Sequence, residues 1–150
     1  MENEQSYTVL MDTVWDDINI YDGPSAFLLS YASAAQPAGI LCAAHFVQAE
    51  AVNGGFHQLF MNSSGILAPE AVFGFQELGM IKAAEAVEAA IKLLGTGYPL
   101  DLAERQQRLA QVPERYLAPL DQQFAEAIDT ENGGFEKVAN EFVKNLGKGA

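Results

Sequence analysis

Ile81-Lys82-Ala83-Ala84-Glu85-Ala86-Val87-Glu88-Ala89-Ala90-Ile91-Lys92-Leu93-Leu94 is the clearest helix in the chain, rich in Ala and Glu. Gly95-Thr96-Gly97 ends it, with Pro99 beyond. Apolar residues recur at three- and four-residue spacings on both sides of it. Towards the C-terminus, Leu100 to Val112 and Pro113 to Ile128 read as helices, the second opened by a proline at its first position. Phe135, Val138, Ala139, Phe142, Val143 and Leu146 mark a last amphipathic helix, stopped by Gly147. Towards the N-terminus, Pro69 opens a helix whose apolar side is Val72, Phe73, Phe75 and Leu78, with a break at Gly79. Before it come helices over Ser6–Tyr21, Ser25–Ala35 and Ala38–Val52, and a short one holding Phe56, Leu59 and Phe60. No run alternates apolar and polar residues for long, and nothing reads as a buried Val/Ile-rich strand. The expectation is an all-α fold, a single compact domain of about seven to nine short helices spanning residues 1–150, with no linker.

Size and composition agree with that. A chain of 150 residues, 49% apolar and only 19% charged, can hide about 70% of its unfolded surface and form a core. Charge is its unusual property. Twenty Asp and Glu stand against eight Lys and Arg, a net of -12. Residues 1–81 hold no Lys or Arg at all but nine acids: Glu2, Glu4, Asp12, Asp16, Asp17, Asp22, Glu50, Glu70 and Glu77. All eight basic residues lie from Lys82 onwards, among the other eleven acids. Such a balance argues against direct binding of nucleic acid, whose phosphates are held by Lys and Arg, and against docking on an anionic membrane.

The single Cys42 excludes an internal disulfide and reads as a small buried hydrophobe, which suits a reducing, cytoplasmic setting. Met1-Glu2-Asn3-Glu4 lacks the basic start of a signal peptide. The apolar stretch from Pro37 to Ala51 is interrupted by His45, Gln48 and Glu50 and is too short to span a bilayer.

Little in the chain suggests chemistry. His45, Glu50 and His57 are separated by the Gly54-Gly55 turn and match no zinc spacing, so no metal, cofactor or catalytic residue is expected. Capping and partial burial are the expected roles of both histidines. Ser63 and Ser64 sit on no nucleophile elbow, and Asn62-Ser63-Ser64-Gly65 reads as loop and N-cap. Trp15, beside Asp16 and Asp17, reads as a core anchor.

Asn-Gly-Gly-Phe occurs twice, at Asn53–Phe56 and Asn132–Phe135, and reads as two identical helix corners, each with a core Phe after its glycine turn. The first copy lies within a longer pattern: Glu50, Asn53, Gly54, Gly55, Phe56, Gln58, Phe60, Asn62 and Gly65. With Glu77-Leu78-Gly79 and the Ala-rich helix beyond, this resembles a small bacterial family of acidic, all-helical DNA-mimic proteins. The match is good over the central third and looser over most of the chain. The downstream triplet departs from the family pattern, lacking an apolar residue between Leu78 and Gly79. The resemblance implies a helical homodimer whose acidic surface occupies the DNA-binding face of a partner, a transcriptional repressor or a histone-like protein. The motif residues themselves read as structural: turn glycines, core Phe, capping Asn.

Charge placement offers a second route to the same reading. Asp12 and Asp16 are four apart on one helix, which sets their Cβ atoms about 5–6 Å apart. Asp17 and Asp22 continue the row, Glu2 and Glu4 flank it, and no cation lies near in sequence. These six acids are the candidate partner-binding residues. A second row, Asp121, Glu126, Asp129, Glu131, Glu136 and Glu141, is diluted by Lys137 and Lys144. The competing expectation is a helical adaptor or immunity-like protein that binds through an apolar patch, its acidity serving solubility alone.

Overall fold

A computed structural model describes residues 6–147. Among them there are eight α-helices and no strand: α1 Thr8–Trp15, α2 Pro24–Ser33, α3 Ala38–Met61, α4 Ala68–Glu77, α5 Ile81–Leu93, α6 Leu102–Leu109, α7 Glu114–Thr130 and α8 Phe135–Leu146. Two short 3-10 segments, Ser63–Leu67 and Glu131–Gly133, join α3 to α4 and α7 to α8.

The long α3 is the spine. It packs against α1, α4, α6 and α7, and α5 closes the far side against α4 and α7. Phe56 and Phe60 stack, and Phe75, Phe124 and Phe135 join them through tilted and edge-on contacts, in one core with Leu41, Val47 and Leu117. By contrast α2 buries only Phe27 and leaves Leu28 and Leu29 exposed.

Helix ends follow local charge and backbone chemistry. The expected first helix to Tyr21 is cut at Trp15, because Asp16 and Asp17 then stand at the negative end of its dipole. Ile18 and Ile20 reach the core from a loop, whereas Tyr21 and Val9, apolar residues within the expected Ser6–Tyr21 helix, are exposed. Phe73, also expected inward, is 59% exposed. Pro113 is the cap of α7 rather than its first residue. The Glu77-Leu78-Gly79 triplet is a helix stop: Gly79 has φ +78°, its N–H donates to Gln76, and the Met80 N–H reaches back to Phe75 at 2.8 Å.

The two Asn-Gly-Gly-Phe copies share their ends but not their paths. In both, the second glycine lies in a region that only glycine occupies freely (Gly55 φ 76°, ψ 178°; Gly134 φ 100°, ψ 161°), and the following Phe is buried. Asn132 is left-handed and donates to the Gly79 carbonyl at 3.0 Å, while Asn53 stays in the helix, makes no capping bond, and corrects the expectation of capping Asn side chains. The helix after Gly55 is capped from afar: the Phe56 N–H donates to Asp121 of α7 at 2.8 Å.

A methyl group on Gly55 would stand 2.9 Å from an Asp121 carboxylate oxygen, on top of the backbone cost. Gly55→Ala is therefore expected to lower stability by about 2–3 kcal/mol in urea unfolding. Gly79→Ala, with open space around it, should cost only about 1–2 kcal/mol.

Candidate functional site: the acidic edge and the Glu50 groove

Asp12 lies on α1 and Asp16 caps its C-terminal end; Asp17 follows, and Asp22 is at the entry to α2. All four are exposed. Met11 and Val14, buried on the opposite side of α1, fix the row to the core. Asn19 orders the loop between them: its amide donates to Asp22 at 2.8 Å, and its carbonyl oxygen accepts the Tyr21 and Asp22 N–H groups. The described residues contain two ion pairs, Lys92–Glu88 and Arg108–Glu104, each within one helix of the second half. Neither involves an acid before residue 82, so among the described residues no cation comes within ion-pair distance of this edge. Glu2 and Glu4 lie outside the described residues.

The second acidic row is partly consumed by the fold. Asp121 caps the kink in α3, and Glu131 accepts the Lys82 and Ala83 N–H groups at the start of α5, at 2.8 and 3.1 Å. Those carboxylates serve as caps.

Beside the acidic edge lies an open groove of about 430 Å³. Trp15, Tyr21 and Phe46 supply its apolar wall and Glu50, Asn62 and Ser64 its polar one. Trp15 and Phe46 stack, ring centres 3.9 Å apart, so Trp15 is half-buried and serves both core and groove. Three donors converge on the Glu50 carboxylate: Ser64 Oγ at 2.9 Å and Asn62 Nδ2 at 3.2 Å on one oxygen, Gln58 Nε2 at 2.5 Å on the other. The motif residues Glu50, Gln58 and Asn62 are thus one hydrogen-bonded unit. Asn62 uses its side chain here, and not as the expected cap.

Behind the groove stands Arg105, fully buried. Its guanidinium donates to the carbonyls of Phe60 (2.9 Å), Asn62 (2.8 Å), Pro99 (3.2 Å) and Leu100 (3.2 Å). A cation at the C-terminal end of α3 complements the helix dipole there. The neighbouring Gln106 holds the Met61 carbonyl. Gly65 is glycine because a Cβ there would lie 2.6 Å from the Leu59 carbonyl oxygen and 2.8 Å from Arg105 Nε. Sequence reasoning passed over Arg105, although Leu102, Arg105, Leu109 and Val112 place it at helical spacing among apolar residues.

The histidines are not brought together. His45 is half-buried against the Tyr7 hydroxyl at 2.7 Å, and burial holds its pKa below the usual 6.5. His57 is exposed, correcting its expected partial burial, and does not line the groove. Among the described residues no group of three His, Cys, Asp or Glu side chains is placed to hold a metal. Cys42 is buried, its thiol pushed up to about 12 by loss of solvent.

A family model described as DMP19-like protein matches residues 33–145. The chain belongs to the DMP19-like family. No curated protein and no solved structure matches it. The DMP19-like span holds the whole Glu50–Gly65 pattern, Phe46 and Arg105, whereas Trp15, Tyr21 and the Asp12–Asp22 row precede it. No helix among the described residues is long and apolar enough to cross a membrane.

Proposed function

We propose that this DMP19-like protein is a non-enzymatic DNA mimic that occupies the DNA-binding face of a repressor or histone-like protein. The observation that carries the reading is the row Asp12, Asp16, Asp17 and Asp22: four exposed carboxylates on a supported edge with no ion-pair partner among the described residues. Like charges so placed repel mildly within the free protein. A partner's Lys and Arg face removes that repulsion, and the field of the row steers encounter. The same reading includes action in the cytoplasm and a homodimer, in which two rows extend the acidic surface.

Capture of DNA-binding proteins from a bacterial lysate on the immobilised chain tests it. Retention is expected to fall steeply as salt rises from about 50 to 200 mM, because a face built for phosphates is released by screening. An apolar adaptor is the second reading, favoured by exposed Tyr21, Leu28 and Leu29 around the start of α2. Salt-insensitive capture that Tyr21→Ala removes would establish the adaptor and overturn the mimic.

A further inference from the structure

We infer that the groove between Trp15 and Glu50 receives an arginine side chain presented by the partner polypeptide, a step that rests on the proposed encounter with a basic protein face. The groove joins two features that suit a guanidinium. Its wall carries the aromatic rings of Trp15, Tyr21 and Phe46, and guanidinium is a flat, weakly hydrated cation that stacks on such rings. Its other side carries a carboxylate already oriented by Gln58, Asn62 and Ser64. Three of the roughly four lone-pair sites of Glu50 are taken by these neutral donors, which leaves its charge unpaired and one site open on the oxygen that Gln58 touches.

Charge complementarity selects the occupant. Asp16 follows Trp15 in the chain and Asp22 follows Tyr21, so acids adjoin two residues of the apolar wall, and no Lys or Arg occurs before residue 82. An acidic ligand meets repulsion there. An apolar one strands the Glu50 charge. A lysine ammonium matches the charge, but it is a strongly hydrated point cation and does not lie flat on the aromatic wall. On this view the acidic row brings the partner's basic face close and the groove fixes its register, by one arginine seated beside Glu50.

Trp15 is the chain's single tryptophan, so its fluorescence reports the groove directly. The experiment titrates the intact protein with capped tripeptides bearing arginine, lysine or the neutral isostere citrulline at the centre. The arginine peptide is expected to give a saturable change, with the citrulline peptide about tenfold weaker and lysine between them. Glu50→Gln, which removes the charge, should reduce the arginine response to the citrulline level. That change also disturbs the Asn62 turn, so Ala49→Leu is the companion variant: Ala49 is exposed and lines the groove, and a larger side chain there fills it with Glu50 intact. Loss of arginine binding in Ala49→Leu, with an unchanged urea midpoint, supports the inference. Equal binding of arginine and citrulline peptides, no saturable change, or full binding by Ala49→Leu overturns it. Free arginine binding as tightly as the peptide overturns the polypeptide source. The two proposals fail separately. If Ala49→Leu still captures DNA-binding proteins with wild-type salt dependence, the groove is dismissed and the mimic stands. If the peptide binds as expected but capture is salt-insensitive, the mimic is dismissed and the groove stands.

Discussion

Replacing Arg105 with methionine is expected to lower the stability of the fold by about 3–5 kcal/mol, the largest effect of any single side chain outside the aromatic core. Methionine keeps most of the apolar stem but removes every donor. The carbonyls of Phe60, Asn62, Pro99 and Leu100 then lose their shared partner at once. A buried acceptor left unpaired costs about 1–3 kcal/mol, and water that reaches the partly buried ones offsets some of the sum. Burial works against the charge and moves the guanidinium pKa down, with Tyr98 and Asp101 opposing the shift. No carboxylate among the described residues is within ion-pair distance, and four carbonyl dipoles supply the direct contacts. Arg105→Lys retains the charge without the fork and should recover less than half of the loss. In urea the midpoint should shift with an unchanged slope, and the thermal midpoint should fall by about 10 °C. A loss below about 1 kcal/mol would mean that the four contacts contribute nothing net.

The reach of Arg105 also shows where sequence reading stops. Helix positions were legible because they depend on spacings of three and four residues and on local breakers such as Gly95, Gly79 and Gly147. Fold class and the order of helices followed from these. Partners from distant segments were not. Asp121 caps a turn 65 positions away, and Glu131 caps α5 from 49 and 48 positions away. A carboxylate that ends a distant helix and one that faces a partner look alike in sequence; only packing separates them. The same holds for Glu50. Its spacing to Gln58, Asn62 and Ser64 crosses the Gly54–Gly55 kink, and periodicity carries no information across a kink. Tyr21 misled in the opposite direction: it matches an apolar spacing on a helix that ends too early to bury it, while Val9 lies within α1 but is exposed, the buried side being that of Met11 and Val14. The acids of the row were legible as charges in a segment without Lys or Arg, but that no cation of the second half pairs with Asp12, Asp16, Asp17 or Asp22 is visible only in the packing of the described residues.

The second large effect concerns that row. Asp16→Lys combined with Asp17→Lys is expected to weaken capture of a DNA-binding partner at least about 100-fold. Two close charge pairs change from attraction to repulsion, and a coupling of about 1.5 kcal/mol for each reaches that figure. The fold itself should be unharmed. Both side chains are exposed, and lysines at the C-terminal end of α1 suit its dipole better than aspartates do. Stability should therefore stay level or rise by a few tenths of a kcal/mol, so lost binding cannot be ascribed to unfolding. Wild-type capture by the double variant would remove the row from the interface.

Mimicry means that protein and DNA compete for one surface. A captured DNA-binding protein, held at low salt on the immobilised chain, can be challenged with rising concentrations of duplex DNA carrying its site. The account predicts mutually exclusive binding: DNA releases the partner completely, and the release midpoint moves in proportion to the amount of acidic protein present. A stable ternary complex, with DNA and acidic chain bound to the partner together, would contradict it.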